Sequence, residues 1–452
     1  MERLSSNILI TIGLITLLAF GGFAISSTRE KEKRAASLAA ALALLGGGFF
    51  LLAAQFSLSA KLAVLIVTGL GMSVFLIFAL LPMGRVKVGN DIPAKRFDER
   101  DIMFARARLK PGSPEYKTYY EMRPENEKPD SQTRAKPGLL SLEAKHANPF
   151  LYASTVGSFD LTRALREAVD GPVSQTQHTL PALEMKKYIK NLALFFGALD
   201  VGITKLKPYH VYSHIGRGTG TYGAPIPLEH TYAIAITVEM SHEMIGANPT
   251  SPGMVETAKE YVESARVAVQ LAAAIRYLGY PARAHIDGNY RVICPLVGRD
   301  AGLGEIGRMG ILMTPLQGPR VRLGVVTTEL DLVPDQREPD AAAIDFCSIC
   351  KKCADNCPSK SIPFDERREI DGALRWCINS DTCFRYWNVV GTDCGICMNV
   401  CPYSHPNTFY HNLIRWGIGR SGFFRRVALW LDDVFYGKEP TKRETPEWTR
   451  VG

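Results

Sequence analysis

A chain of 452 residues, 46% hydrophobic, has enough apolar material for a large core and more than one domain. Its net charge of +8 is modest for this length and forms no basic patch interleaved with aromatics, which excludes a nucleic-acid partner and suits a membrane surface better. Ten cysteines in so long a chain do not make the disulfide framework of a short secreted domain.

The opening reads as a membrane anchor over residues 1–84. Ile8 to Ser26, Ala39 to Phe56 and Leu62 to Met83 contain no Asp, Glu, Lys or Arg, and each is about long enough to cross a bilayer of roughly 30 Å as a helix. Gly46-Gly47-Gly48 makes the second run the weakest of the three. A cleavable signal would have one shorter apolar region, and no twin-arginine pair opens the sequence. The loop Thr28 to Ser37 carries Arg29, Lys31, Lys33 and Arg34, and the exit from the third run carries Arg85, Lys87, Lys95 and Arg96. The opposite ends hold only Arg3 and Lys61. By the positive-inside rule the large domain is therefore expected on the cytoplasmic side of a cell membrane.

Residues 85–149 are polar and turn-rich and read as a tether that packs on the domain. In residues 150–338, Met185 to Leu206 has helical spacing, and His230 to Met240 alternates through Tyr232, Ile234, Ile236 and Val238 as a strand does. A long helix starts at Ser251-Pro252 and stops at Gly279 ahead of Pro281. Met254, Ala258, Tyr261, Ala265, Ala268, Ala272 and Ile275 form one mostly small stripe on it, against which something broad or backbone-close should pack. Tyr261 brings the stripe its one hydroxyl, and a buried tyrosine hydroxyl usually finds a partner. Two segments fit Gly-x-Gly-x-x-Gly, one ending at Gly223 and the other made by Gly302, Gly304 and Gly307. Neither sits in a dinucleotide-binding context, yet such glycines let backbone approach a flat cofactor. Val321 to Thr328 reads as a strand with Arg320 and Arg322 on one face.

Residues 339–410 carry the strongest signal. Cys347-x2-Cys350-x2-Cys353-x3-Cys357-Pro is followed by Cys383 and then by Cys394-x2-Cys397-x3-Cys401-Pro. Structural zinc takes two Cys-x2-Cys pairs, whereas this spacing is that of two [4Fe–4S] cubanes that exchange their last cysteines. Cys347, Cys350, Cys353 and Cys401 are expected to hold one cluster, and Cys357, Cys383, Cys394 and Cys397 the other. Cys377 competes with Cys383 for the eighth position, and Cys294 reads as a buried small hydrophobe.

These residues together resemble the reductive dehalogenases, corrinoid and iron–sulfur enzymes that remove halogen from organic molecules. The resemblance rests on Tyr232-Ala-Ile-Ala-Ile-Thr-Val-Glu-Met240, Tyr261 in its alanine-rich helix, and Ala301-Gly-Leu-Gly-Glu-Ile-Gly-Arg308. It extends to Thr314-Pro-Leu-Gln-Gly-Pro-Arg-Val-Arg322, both cluster motifs, Trp376 to Trp387, and Trp430-Leu-Asp-Asp-Val-Phe435. It implies an α+β protein with a nitroreductase-like core holding a base-off corrinoid (cobalamin), and a ferredoxin-like module delivering electrons. The missing Asp-x-His-x-x-Gly agrees with a corrinoid that has no histidine as lower ligand. By the same resemblance Tyr261 is the proton donor beside the corrinoid, Arg322 stabilises its tyrosinate with Arg320 as the alternative, and Asn289 lines the pocket. An arginine close by has a physical reason, since it lowers the pKa of a tyrosine that is otherwise a poor acid at neutral pH. Residues 411–452, with Phe423, Phe424, Val427, Trp430, Leu431, Val434 and Phe435, form an amphipathic helix expected to pack on the core.

The expected protein is a membrane-anchored oxidoreductase acting on an organohalide and fed by a membrane or soluble low-potential donor. Two rivals remain. Epoxyqueuosine reduction would call for a basic RNA-binding surface, and an anchored ferredoxin-type carrier would hold no corrinoid.

Overall fold

Apolar runs of bilayer length have no polar face to stop them, and they fold as three long helices: α1 (Glu2–Arg29), α2 (Lys33–Ala53) and α3 (Leu58–Leu80). All three are long and apolar enough to cross a membrane. The computed structural model describes residues 1–81, 87–227, 229–441 and 443–451. Two units emerge. One contains residues 1–87, 341–350 and 405–444, the other 88–340, 351–404 and 445–452. Met83 and Arg85 lie outside the described residues, and the basic loop contracts to Glu30–Glu32 because Lys33 and Arg34 already begin α2.

The glycine run in α2 is a contact and not a break. A Cβ on Gly47 would come 2.4 Å from Leu17 Cγ, and one on Gly13 would come 3.0 Å from the Gly47 carbonyl. Small residues let the two backbones approach, as they do where helices pair in lipid. In the same unit, helices Phe409–Arg420 and Gly422–Tyr436 close the chain. The sequence reading sends the second of these to the core of the large domain. Here its apolar face meets the N-terminal apolar helices: Phe435 is buried with Ala35 and Ala39, 5.3 Å from the Phe23 ring, and Phe423 lies 5.6 Å from Phe78. Two histidines reinforce this packing. His405 and His411 stack at 4.6 Å, with Nε2 of each bonded to a carboxylate, Asp432 at 2.8 Å and Glu30 at 2.9 Å.

The second unit is built on an antiparallel sheet. Its strands are β1 (Asp200–Lys205), β2 (Tyr232–Glu239), β3 (Ala282–His285) and, beyond a short ribbon of β4 (Glu305–Ile306) and β5 (Leu312–Met313), β6 (Val321–Thr328). They lie in the order β1-β2-β6-β3, with Val238 opposite Arg322 across the β2–β6 pair. The alternation in β2 sorts its side chains between two cores. Ile234, Ile236 and Val238 pack under the long helix, while Ala233 and Ala235 face Val292 and Val297.

That helix, Ser251–Tyr277, has the expected bounds, and its small stripe has a mechanical purpose. Ala265, Ala268 and Ala272 are fully buried against the sheet, and β6 comes so close that a Cβ on Gly324 would stand 2.8 Å from the Ser264 carbonyl. Met185 to Leu206 divides, contrary to its helical spacing. Helix Ala182–Phe195 ends before Gly197, whose φ of +105° turns the chain, and the alternation of Val201 and Ile203 then makes β1. The tether is part of this unit. Fully buried Glu99 accepts from the Gly216 and Arg217 amides at 2.9 and 3.1 Å, and Phe104 packs 5.2 Å from Phe384 and 5.8 Å from Trp387.

Candidate functional site

Tyr261 projects from the sheet-facing side of its helix toward Arg322 of β6. It is deeply set, yet part of its surface remains open. The Arg322 guanidinium lies over its ring, 4.7 Å from the centroid. A cation on an aromatic face in a desolvated site is worth about 2 kcal/mol. The simple expectation that the arginine lowers the tyrosine pKa is met only as an offset. Burial raises the Tyr261 pKa, Arg322 pulls it back, Asp287 and Asp393 push it up again, and the balance is above the ordinary value.

Arg322 is itself held. Its Nη2 donates to Thr257 Oγ1 at 2.9 Å and to Asp393 Oδ2 at 3.3 Å, and the Thr257 hydroxyl donates to that same oxygen at 2.5 Å. Thr257 stands one helical turn before Tyr261 on the same side of the helix. Arg322 Nε and Asp393 Oδ1 are buried and have no hydrogen-bond partner among the described residues. Such atoms are costly to leave unsatisfied, so the site fits a polar or anionic group beside the tyrosine.

Arg320 is occupied elsewhere. Only 1% exposed, it donates to the carbonyls of Ser404 and Met240 and to Glu239, fastening the end of β2 to the cluster segment. Asn289 is fully buried with its amide committed: its oxygen accepts from Arg283 at 3.0 Å and from the Thr219 amide, and its Nδ2 donates to the Arg166 carbonyl at 3.1 Å. It braces the glycine loop around Gly218. At Gly304 and Gly307 the space a side chain would need is filled by Met313, at 2.1 Å from its carbonyl oxygen and 2.6 Å from its sulfur. Gly302 alone of the three is uncrowded, its nearest atom being the Gln336 carbonyl oxygen at 3.4 Å.

Close behind Asp393 come the thiols. Helix Ser380–Val390, capped by the Asn379 side chain and ended by Gly391 at φ +83°, presents Cys383. Cys394 and Gly395 follow at φ +58° and +62°, curling the chain so that Cys394 and Cys397 turn inward. Burial pushes the Cys383 thiol up to about 11 and the Cys394 thiol to about 12. Cys397 is raised further by burial, and also by Cys394, Cys353, Cys383 and Cys357. Cys397 thus lies within electrostatic reach of Cys394, Cys353, Cys383 and Cys357, and thiols are the donors that a soft iron–sulfur cluster takes. Cys377 is exposed, and its thiol reaches only the Ile378 carbonyl. Cys353 and Cys401 are buried in this unit, while Cys347 and Cys350 sit half-buried at the end of helix Ala341–Cys350 in the other. Cys294 is buried, as a small hydrophobe would be.

Thr257 and Asp393 escape a reading of the sequence by itself. Thr257 had one visible signal, its one-turn spacing from Tyr261, and Asp393 another, its place directly before Cys394.

This arrangement defines an iron–sulfur protein whose cluster loop adjoins a tyrosine–arginine site. A protein-family profile described as "4Fe-4S dicluster domain" matches residues 346–405. The tetrachloroethene reductive dehalogenase of Sulfurospirillum multivorans is 32% identical over 294 residues, covering 57% of this chain and 58% of that protein. That of Desulfitobacterium hafniense is 33% identical over 193 residues, 40% of this chain and 34% of its own length. A solved reductive dehalogenase structure superposes with a TM-score of 0.64 at 22% identity, over 78% of this chain and 49% of its own. The chain is similar in sequence to these dehalogenases and in fold to the solved one, and it spans little more than half the length of the Sulfurospirillum protein.

Proposed function

We propose that the protein is a membrane-anchored reductive dehalogenase that replaces a carbon–halogen bond by carbon–hydrogen: R–X, two electrons and one proton give R–H and halide. The observation that carries the reading is the tyrosine under a half-buried arginine whose Nε–H is unused among the described residues and whose carboxylate partner, Asp393, directly precedes Cys394. Tyr261 supplies the proton to the carbon as halide leaves, and Arg322 holds the resulting phenolate. Because burial keeps the phenol protonated far above neutral pH, Tyr261 stays a loaded donor until charge develops on the substrate.

Two [4Fe–4S] clusters supply electrons one at a time. The spacing assigns the outer one to Cys347, Cys350, Cys353 and Cys401, and the inner one to Cys357, Cys383, Cys394 and Cys397. A base-off corrinoid in a nitroreductase-like core, when bound, supplies the low-potential metal chemistry that opens a carbon–halogen bond. One solved relative is described in terms of B12-dependent dehalogenation. The open side of Tyr261 and the orphaned Arg322 Nε are the features of this chain that fit such a group. The test is direct. Protein purified without oxygen should carry cobalt together with about eight irons per chain, and should release halide from a chlorinated ethene or halogenated phenol when given a low-potential reductant. Iron without cobalt, and no halide, would leave only an anchored electron carrier.

The anchor sets a side as well. With Lys31, Lys33 and Arg34 next to the α1–α2 turn, the large domain is assigned to the cytoplasm, where it draws electrons from a membrane or soluble low-potential donor. Protease added to intact cells is expected to spare this domain and to digest it only after lysis. Digestion before lysis would reverse the orientation.

A further inference from the structure

Acid catalysis by a buried tyrosine depends on where its cation stands, and nothing in the Tyr261–Arg322 stack by itself fixes that position. A guanidinium over an aromatic face has no directional bond to the ring and slides readily. What holds Arg322 is a three-membered knot of Arg322 Nη2, Thr257 Oγ1 and Asp393 Oδ2, with contacts of 2.9, 3.3 and 2.5 Å. We infer that Thr257 and Asp393 are positioning residues for the proton donor, which lock the Arg322 guanidinium over Tyr261 and tie it to the loop that bears Cys394. The inference rests on the role given above to Tyr261.

The donors and acceptors assign themselves. Arginine has no acceptor, so Thr257 accepts from Nη2 and directs its own hydrogen to the carboxylate. One oxygen of Asp393 thereby receives both the threonine and the arginine, a charge-assisted pair in a buried site. Its second oxygen and Arg322 Nε are left for the ligand side. Elements far apart in the chain meet here: Thr257 comes from the long helix, Arg322 from β6, and Asp393 from the segment between helix Ser380–Val390 and Cys394. A shift of the cluster loop would therefore be felt at the acid.

Thr257→Val tests this without changing any charge. Arg322 opposes the rise of the Tyr261 pKa, so a looser Arg322 must raise that pKa further. With fluorotyrosine incorporated, and Tyr261→Phe used to assign the resonance, fluorine NMR should show the Tyr261 titration midpoint moving to higher pH in Thr257→Val. It should return with Thr257→Ser, which keeps the hydroxyl. Turnover should fall about tenfold, the worth of one hydrogen bond to a charged group, with KM unmoved and with no further loss when Thr257→Val is added to Tyr261→Phe. An unmoved midpoint, or an equal loss in both backgrounds, would overturn the inference. If the valine variant loses iron, Thr257→Ala and Thr257→Ser are compared by the same two readouts. Full turnover by Tyr261→Phe would refute the acid assignment instead, and the NMR midpoint distinguishes the two failures.

Discussion

Tyr261→Phe is expected to keep its iron, its corrinoid and its fold while dehalogenation falls by about a hundred- to ten-thousandfold, the usual contribution of a general acid. Phenylalanine preserves the ring under Arg322 and the contact with Phe159, whose centroid is 6.2 Å away, so packing and most of the cation–ring attraction survive. What disappears is the phenolic hydroxyl alone. The substitution leaves the charge of the site unchanged at neutral pH, because the phenol it replaces is protonated there. Halide release by single-turnover assay, with metal content measured on the same sample, checks the result. Near-full turnover with cofactors in place would send the search to neighbouring phenols. Tyr290 would come first, since it lies under the Arg217 guanidinium at 5.8 Å and interacts electrostatically with Tyr261. Tyr222 would follow, its pKa pushed up by burial to about 12 and its hydroxyl without a partner among the described residues.

The second large effect concerns iron. Cys383→Ala is expected to cost on the order of half the iron, because a cubane that loses one of four thiolates is poorly retained, and electron delivery to the substrate site should stop with it. Cys377→Ser should retain both iron and turnover. The physical contrast is in their surroundings: Cys383 lies where burial and Cys357 raise its thiol, while Cys377 faces solvent. Iron analysis and low-temperature EPR of the dithionite-reduced protein distinguish the two. Loss of a cluster signal from the Cys377 variant, with the Cys383 variant intact, would exchange their roles.

The three long apolar helices and the cysteine spacing were legible because each is a local property. A helix across lipid is decided by some twenty consecutive side chains, and a ferredoxin run by thiols a few residues apart. The long helix was legible to its ends for the same reason, since Ser251-Pro252 and Gly279 punctuate it where they stand.

What the sequence by itself determined, then, is the element, the stripe on it and the kind of cofactor its thiols suit. Tertiary structure decided which side chains meet. The glycines at 46–48 are a flaw in a hydropathy reading, and two of them, Gly46 and Gly47, become a contact surface once α1 lies against them. Arg320, just before β6, and Arg322, within it, sit two positions apart and look equivalent in sequence. One is used up by the Ser404 and Met240 carbonyls, and the other is left over Tyr261, because strand neighbours and loop carbonyls arrive from distant parts of the chain. Asn289 is polar, buried and pocket-like in sequence, yet its amide is spent on Thr219, Arg283 and Arg166. Thr257 and Asp393 became visible only when the helix, β6 and the cluster loop came together, since a hydrogen bond depends on ångströms in space and not on separation along the chain.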